Sequence, residues 1–354
     1  MKAAIVGLPE SGKTTVFSAV TEQSVDPYAP PEPRHTIVKV PDPRLEFLTQ
    51  LHNPKKVIEA TIEFVDIPGF SIEGAKGQED MRRLLPEVRQ AELLVLVVRD
   101  FENASVPTYR DRVDAEADLA AFWEELIFAD LDAVTTRVER LEQSLRKPTK
   151  THEQEKRELA LMRSCLAALE SNKPISTAIK SEDEQRMLSS FAFLTQKPMV
   201  CVRNVSDDQA AVIKDIASEH LVATITLSAS IEAEIAMLDP ADRQAFMSDL
   251  GLTELARDRL VRTCYEACGL ISFLTMGPEA VRAWTITRGD TALEAASKIH
   301  TDIARGFIRA ETIAYDDLLA CGDMKNARAA GKVRKEGKTY VVADGDVLNI
   351  LTSA

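Results

Sequence analysis

An eight-residue, glycine-bearing segment near the start of the chain constrains the fold more than any other part of the sequence. Residues 7–14 read Gly-Leu-Pro-Glu-Ser-Gly-Lys-Thr and match the pattern G-x-x-x-x-G-K-[ST]. Such a loop wraps backbone N–H groups around a polyphosphate, and glycine is needed where a Cβ would collide with it. Residues 2–7 predict a buried strand before the loop, and residues 14–21 predict a helix after it. This order predicts a doubly wound α/β sheet with a phosphate site at its first β–α junction.

The polar residues of this loop have distinct expected roles. Lys13 places a full positive charge against the β- and γ-phosphates, and the Thr14 hydroxyl completes part of a Mg²⁺ shell. The other expected nucleotide contacts in the loop are Pro9, Glu10, Ser11, Gly12 and Thr15. The sequence therefore predicts Mg²⁺ and a purine triphosphate, ATP or GTP, as ligands.

A second motif, Asp66-Ile67-Pro68-Gly69, follows a predicted strand over residues 61–67. A carboxylate at a strand end suits a loop that holds Mg²⁺, and a nearby glycine can offer its amide to the γ-phosphate. Lys13, Asp66 and Gly69 are thus the candidate catalytic residues, and Thr14 and Asp66 are the candidate metal ligands. The next residue, Phe70, cannot orient an attacking water molecule.

Two later strand ends supply a candidate site for the purine base. Predicted strands over residues 199–204 and 223–227 end at Asn204 and just before Ser228. In small G proteins an N-K-x-D segment reads guanine; here Val205 replaces the lysine and Asp207 keeps the fourth position. Asn204 suits either purine, and a backbone amide of the segment containing Ser228, Ala229 and Ser230 could touch the base. Because ligands gather beyond the carboxyl ends of strands in open α/β sheets, Gly7, Asp66, Asn204 and Ser228 are expected to converge.

The middle of the chain carries a different pattern. Apolar residues from Leu119 to Leu169 recur at steps of three to five, with a proline-bearing turn at residues 147–150. This spacing predicts two helices folded into an antiparallel coiled-coil arm inserted in the sheet domain. After Gly269, short predicted strands (residues 280–286, 307–313, 338–342 and 346–351) surround one predicted helix, residues 291–300.

Charge and hydropathy limit the partners. The formal net charge is −13, which argues against broad attraction to polyanions, so any RNA contact needs a local patch. The segment from Lys325 to Lys338 is a modest basic patch and a candidate RNA contact. A solvated loop is an equally good interpretation of this segment. No stretch is long and apolar enough to predict a membrane span. Five cysteines without a C-x-x-C pair fit reduced thiols, so we expect a cytoplasmic protein, and we expect a monomer.

Taken together, these residues resemble the YchF type of the Obg-related P-loop proteins, the Obg-like ATPases. Beyond the motifs above, the resemblance rests on matching segments at residues 40–45 (VPDPRL), 129–132 (ADLD), 231–235 (IEAEI), 281–286 (VRAWTI), 299–302 (IHTD), 306–311 (GFIRAE) and 344–347 (DGDV). It implies a P-loop G domain at residues 1–117 and 197–268, a coiled-coil insertion at 118–196, and a C-terminal TGS domain of β-grasp type at 270–354. It also implies ATP hydrolysis at least as readily as GTP hydrolysis, and association with ribosomes.

Three positions depart from the family pattern. Pro30 stands where a first-switch threonine would bind Mg²⁺, and Thr36 is the nearest replacement. Thr108 stands where the family has a histidine that positions water. Asp207 replaces a glutamate in the base motif.

These departures leave three hypotheses open. The first is a slow Mg²⁺-dependent NTPase whose nucleotide state acts on a ribosomal or RNA partner through the arm and the TGS domain. The second is a nucleotide-gated adaptor with negligible hydrolysis, which Pro30, Phe70 and Thr108 favour. The third is a GTP-specific GTPase, which Asp207 favours.

Overall fold

The computed structural model describes residues 1–26, 30–69, 74–146, 151–210, 212, 215–249, 252 and 254–353. The strands are β1 (Lys2–Val6), β2 (Arg34–Lys39), β3 (Lys56–Ile58), β4 (Thr61–Asp66), β5 (Leu93–Asp100), β6 (Met199–Val205), β7 (Ala223–Leu227), β8 (Leu270–Thr275), β9 (Ala280–Thr287), β10 (Phe307–Ala314), β11 (Arg334–Glu336) and β12 (Asp346–Thr352). The helices are α1 (Lys13–Thr21), α2 (Arg44–His52), α3 (Gly74–Gln90), α4 (Ala115–Ser144), α5 (His152–Glu170), α6 (Glu182–Leu188), α7 (Ala229–Met237), α8 (Pro240–Asp249), α9 (Ala256–Ala267), α10 (Ala292–Ile299), α11 (Thr301–Arg305), α12 (Tyr315–Cys321) and α13 (Met324–Ala329).

The chain divides into two compact units. The first contains residues 1–36 and 63–260, and the second contains residues 37–62 and 261–354. Residues 37–62 were assigned to the G domain from the sequence, but they pack with the C-terminal residues. The sequence gives no sign that residues 37–62 belong to the second unit, because both ends of this segment lie inside regions that predict strands of the first sheet. The three-domain division stays a prediction.

The first unit is built on a sheet with the strand order β2-β4-β1-β5-β6-β7. Strands β4, β1, β5, β6 and β7 pair in parallel, and most of their side chains are buried apolar residues. Near-continuous apolar strands are typical of a sheet covered on both faces. The predicted doubly wound α/β class is therefore confirmed, and the carboxyl ends of these strands share one edge.

Two long helices form an antiparallel hairpin in the first unit. Arg137 on α4 pairs with Glu158 on α5, while Ser144, later on α4, donates to Glu155, earlier on α5, so the two helices run in opposite directions. Apolar positions from both helices, including Val134, Val138, Leu161 and Met162, are buried between them. The predicted helical hairpin is present; its turn at residues 147–150 lies outside the described residues.

The second unit is built on a mixed sheet with the order β11-β10-β12-β8-β9-β3. Strands β8 and β9 form an antiparallel hairpin, β12 pairs in parallel with β8, and β3 pairs in parallel with β9. Helix α10 contributes Ala292, Ala295 and Ala296 to the core against this sheet. A capping box of Thr291 and Glu294 starts the helix, close to its predicted bounds.

One predicted strand of the second unit is wrong. Residues 338–342 do not form a strand, and a single bridge joins Val341 to Thr291. The carbonyls of Lys338 and Tyr340 instead accept hydrogen bonds from Leu293 and Ala292 at the start of α10. These carbonyls satisfy N–H groups that have no partner inside the helix, so the segment caps a helix and does not extend the sheet. Among the described residues, no helix has the length and apolar character needed to cross a membrane.

Candidate nucleotide-binding site

The glycine-bearing loop connects β1 to α1 and contains three residues with positive φ, the first of which is Gly7 at +146°. Gly12 has φ +89°, and Glu10 has φ +60°. A Cβ added at Gly12 would collide with the side-chain nitrogen of Asn204. Glycine is therefore required at residue 12 both by its backbone conformation and by the close approach of β6.

Lys13, the first residue of α1, is 6% exposed. Its Nζ donates a 2.6 Å hydrogen bond to the Leu8 carbonyl. Burial lowers the pKa of Lys13 to about 8, although the charges of Asp66 and Glu10 act in the opposite direction. The ammonium is thus poorly solvated, and an incoming polyanion would stabilise its charged form.

The second motif lies against the same loop. A Cβ added at Gly69 would stand 2.9 Å from Lys13 Nζ and 3.2 Å from Pro9 Cα. The backbone of Gly69 is therefore close enough to the loop to present its amide to a phosphate held there. The adjacent residue Phe70 lies outside the described residues.

Asp66 and Thr14 form a pair with one unsatisfied oxygen. The Thr14 hydroxyl donates a 3.0 Å hydrogen bond to Asp66 Oδ2. The other carboxylate oxygen, Oδ1, is buried and has no hydrogen-bond partner among the residues that the structure describes. Burial raises the pKa of Asp66, while Thr14 and Lys13 oppose the rise.

This pair fits a magnesium ion. An unsatisfied, desolvated carboxylate oxygen is stabilised by a divalent cation, and a hydroxyl is a suitable second ligand. Among the described residues no cluster of three or more His, Cys, Asp or Glu side chains could hold a metal. Mg²⁺ usually takes one or two carboxylates and completes its shell with phosphate and water. Ser11 Oγ is a second buried oxygen with no partner in the described part of the chain.

At the base end, Asn204 bridges two loops. Its side-chain nitrogen donates to the Ser11 carbonyl at 3.1 Å, and its side-chain oxygen accepts from the Ala229 N–H at 3.0 Å. The Ala229 amide, which was a predicted contact to the base, is therefore already used inside the protein. Strand register places Asn204 beside Arg99 on β5 and beside Leu227 on β7.

Asp207 is held by two hydroxyl groups. Its Oδ1 accepts hydrogen bonds from Ser228 Oγ at 2.5 Å and from Ser230 Oγ at 2.6 Å. Ser228 Oγ also accepts from the Ile231 N–H and so caps α7. The carboxylate thus has a fixed orientation before any ligand binds.

A cavity of about 360 Å³ joins these parts. Its lining residues are Glu10, Gly12, Thr15, Phe101, Glu102, Asn103, Val106, Asn204, Val205, Ser206, Asp207 and Ser230. The segment from Phe101 to Val106 was not among the predicted site residues. Its position directly after β5, at the same sheet edge as Asn204, is the signal that could have identified it.

The family departures at Pro30 and Thr108, and the replacement candidate Thr36, lie in different settings. Thr36 on β2 is the nearest replacement for a first-switch threonine. Its hydroxyl donates a 3.3 Å hydrogen bond to Gln23 Oε1. It therefore has a local partner, and the structure does not join it to Asp66. Pro30 is exposed, and its carbonyl accepts from the Glu32 N–H. Thr108 is half-buried and precedes a single 3₁₀ turn at Tyr109–Asp111.

Comparison with known proteins decides the family. The model YchF-GTPase_C, described as "Protein of unknown function (DUF933)", matches residues 270–352, and the model described as "50S ribosome-binding GTPase" matches residues 2–127. The chain is 38% identical over 362 residues to "Ribosome-binding ATPase YchF" of Bacillus subtilis, covering 99% of this chain and 98% of that protein. This chain belongs to the YchF family.

Further YchF relatives give the same picture. The protein of Escherichia coli O157:H7 with the same description is 36% identical over 360 residues, covering 99% of this chain and 98% of its own length. The solved structure of the Schizosaccharomyces pombe YchF GTPase superposes with a TM-score of 0.84 at 27% identity, covering 99% of this chain and 97% of that chain. The similarity thus extends over both units.

Two YchF motifs outside the nucleotide site have structural roles here. Asp130, which is fully buried in α4, accepts from the backbone N–H groups of Leu194 and Thr195 and from Arg89 on α3. In the second unit, Arg44 pairs with Asp42 and with Asp344, so the motifs at residues 40–45 and 344–347 meet.

The basic segment of this YchF chain is more neutral than its local sequence indicates. Arg328 and Lys332 pair with Glu311 and Asp317, which are distant in sequence. Arg334 pairs with Glu336 and Asp346. Several charges of the patch are therefore balanced by neighbouring acids.

Proposed function

We propose that this protein is a Mg²⁺-dependent purine nucleoside triphosphatase that hydrolyses ATP slowly in association with ribosomes. The observation that carries the proposal is the unsatisfied Oδ1 of Asp66 beside the Thr14 hydroxyl and the desolvated Lys13 ammonium. Near-full-length similarity to proteins described as ribosome-binding ATPases supports the reaction and the partner.

In this proposal each residue at the phosphate end has one role. Thr14 and Asp66 hold Mg²⁺, which neutralises charge on the β- and γ-phosphates when it is bound. Lys13 stabilises the charge that develops on the transferred phosphoryl group, and the Gly69 amide contacts the γ-phosphate. The backbone of residues 9–12 and Thr15 enclose the rest of the chain of phosphates, and the buried Ser11 hydroxyl supplies a further donor.

The arrangement favours slow turnover. Thr36 already bonds to Gln23, and Thr108 takes the place of the water-positioning histidine that the family resemblance implies. A protein that lacks a fixed orienting group for the attacking water relies on a partner or on chance orientation. We infer that ribosomes accelerate hydrolysis.

The roles of the second unit and of the helical hairpin, the location and the oligomeric state are also proposals. The mixed sheet of the second unit serves as a TGS domain of β-grasp type, and the α4–α5 hairpin serves as an arm. Both present candidate surfaces to ribosomal RNA or protein, with exposed Lys325, Lys335 and Lys338 as the basic part. We propose a cytoplasmic monomer.

Single-turnover hydrolysis of bound ATP tests the function. Lys13→Ala is expected to lower the rate by about 10²-fold or more, since it removes the charge that acts on the transferred group. Ribosomes are expected to raise the rate of the unaltered protein. An unchanged rate in the variant would refute the proposed chemistry. A rate at background with and without ribosomes would favour the non-hydrolysing adaptor.

One observation favours GTP as a second candidate substrate. Asp207 is fixed by Ser228 and Ser230, and an oriented carboxylate suits the N1–H and exocyclic amine of guanine. Calorimetric titration of ATP and GTP side by side, with Mg²⁺, decides between the two bases. Equal or tighter binding of ATP would exclude GTP specificity.

A further inference from the structure

The loop after β5 forms one wall of the 360 Å³ cavity and contributes Phe101, Glu102, Asn103 and Val106. Its turn is closed internally, because the Val106 N–H donates to the Asn103 carbonyl and the Ser105 N–H donates to Asn103 Oδ1. The rest of the lining includes Asn204 and Asp207. The conformation of residues 101–107 therefore sets the width of the cavity at its base end.

A single buried guanidinium holds both ends of this loop. Arg99 is 3% exposed and does not itself line the cavity. Its Nε donates to the Phe101 carbonyl at 3.1 Å, while its two terminal nitrogens donate to the carbonyls of Val106 at 3.1 Å and Pro107 at 2.9 Å. Its guanidinium carbon also lies 4.6 Å from the centre of the Phe101 ring.

The chemistry of arginine matches this task. The planar guanidinium presents several donors in a fixed fork and stacks on an aromatic face, whereas a lysine ammonium is a compact charge that does neither in the same way. Arg99 also lies beside Asn204 in the pairing of β5 with β6, so the loop is anchored next to the residue that bridges the other two loops. One side chain thereby orders a wall of the cavity.

We propose that Arg99 is a positioning residue that preorganises loop 101–107 for the base and ribose of a bound nucleotide. This inference rests on the proposed nucleotide binding. It assigns Arg99 no contact with the phosphates, because Lys13, Asp66 and Gly69 lie at the other end of the site. Loss of Arg99 then weakens binding of a nucleoside triphosphate but not of a bare polyphosphate.

The test compares two probes, ATP and inorganic tripolyphosphate, each titrated with Mg²⁺ by calorimetry. Arg99→Ala is expected to weaken ATP binding about tenfold, because the loop must be ordered at the expense of binding free energy. Tripolyphosphate affinity is expected to stay within about twofold of the unaltered protein by the same reasoning. In steady-state assays the KM for ATP rises and kcat is retained.

Chemical rescue separates positioning from a general structural role. Guanidinium chloride below its denaturing range is expected to restore ATP binding to Arg99→Ala, whereas methylammonium chloride is not. Arg186→Ala is the matched control, since Arg186 is exposed on α6 and pairs only with nearby acids there in the described part of the chain. That variant is expected to bind both probes normally.

Arg99→Lys keeps the positive charge and removes the planar guanidinium. It therefore tests the positioning role if Arg99→Ala does not fold. Weaker ATP binding with an unchanged thermal transition supports the proposal, and normal ATP binding by a folded variant overturns it. Equal loss of ATP and tripolyphosphate without rescue overturns it as well. Failure of the unaltered protein to bind ATP or GTP would instead refute the proposed function.

Discussion

The two ends of the candidate site are built differently. At the phosphate end, Asp66 Oδ1 and Ser11 Oγ are buried without partners in the described part of the chain, and Lys13 is desolvated. At the base end, Asn204 and Asp207 already have two hydrogen bonds each within the protein. One end needs a ligand to satisfy its polar groups, and the other is satisfied without one.

This difference separates affinity from selectivity. Unsatisfied buried groups carry a desolvation penalty that a charged ligand removes, so the phosphate end is committed to a polyanion and a cation. Groups that are already paired can tolerate more than one base, because a ligand must compete with existing bonds. We therefore expect the base end to discriminate only weakly between ATP and GTP.

The largest effect is expected from Asp66→Asn. The amide has nearly the same shape but cannot bind Mg²⁺ as a carboxylate does, so single-turnover hydrolysis should fall by about 10²-fold or more. ATP affinity should also lose its dependence on Mg²⁺, measured by calorimetry with and without the metal. Asp207→Asn is the matched control at the other end, and it should change affinity while leaving the hydrolysis of bound nucleotide intact. A reversed pattern would contradict the division of roles.

The next effect is expected from Gly12→Ala. The left-handed conformation alone destabilises alanine by roughly 1–3 kcal/mol, and a Cβ here also collides with Asn204. Gly289→Ala separates these causes, since Gly289 has φ +102° and nothing within 4 Å of the added Cβ. Both variants should lower the free energy of unfolding, measured with urea, but only Gly12→Ala should lose ATP binding. Intact binding by Gly12→Ala would show that the approach of β6 is not needed.

A smaller effect is expected from pH. The Lys13 pKa of about 8 means that the ligand-free protein loses this charge above pH 8, whereas bound phosphates keep it. ATP affinity should be flat below pH 8 and fall by up to about tenfold per pH unit above it. Calorimetry at pH 8.5 in two buffers with different ionisation enthalpies should show proton uptake, and Lys13→Met should abolish it.

The lowered pKa of Lys13 affects the free energy of unfolding in the opposite direction to ATP affinity, because the first rises with pH and the second falls. The unfolded chain has the ordinary lysine pKa of 10.5, so between about pH 8 and 10.5 it binds more protons at this residue than the folded protein does. The contribution of Lys13 to the free energy of unfolding therefore rises with pH across that window. Urea titrations of the ligand-free protein and of Lys13→Met should differ in this slope, and parallel profiles would contradict the lowered pKa.

The smallest effect is expected from Ser230→Ala. It removes one of the two hydroxyls on Asp207 and leaves the Ser228 cap of α7 in place. With Asp207 less firmly oriented, the binding free energy for GTP should become about 1 kcal/mol less favourable. GTP binding should therefore weaken by roughly fivefold, with ATP binding nearly unchanged. Competition titrations with both nucleotides measure this ratio. An equal change for the two bases would show that Asp207 does not read guanine.

Much of the first unit follows from local sequence. Gly7 follows β1, and Asp66 and Asn204 lie at the carboxyl ends of β4 and β6; these strands are largely apolar runs, and parallel pairing brings their ends to one edge. The glycine pattern at residues 7–14 predicts its own backbone conformation, which Gly12 adopts. These features depend on neighbours within a few residues, so the sequence displays them directly.

Features that depend on distant partners were missed. The local sequence of residues 325–338 shows few acids, because Glu311, Asp317 and Asp346 approach only in the folded unit. The apolar alternation at residues 338–342 predicts a strand, but the first turn of α10 takes its carbonyls. Arg99 gives no signal of its task, since its three acceptors are backbone atoms.

The excursion of residues 37–62 limits how the chain can be cut. These residues supply β3 to the edge of the second sheet, and Arg44 supplies the partner of Asp344. A polypeptide that starts at residue 261 would expose the full edge of β9 to pairing with other chains and leave Asp344 without its arginine. The C-terminal unit is therefore not a detachable module, and β3 must wait during synthesis for its partner β9, which the ribosome makes more than two hundred residues later.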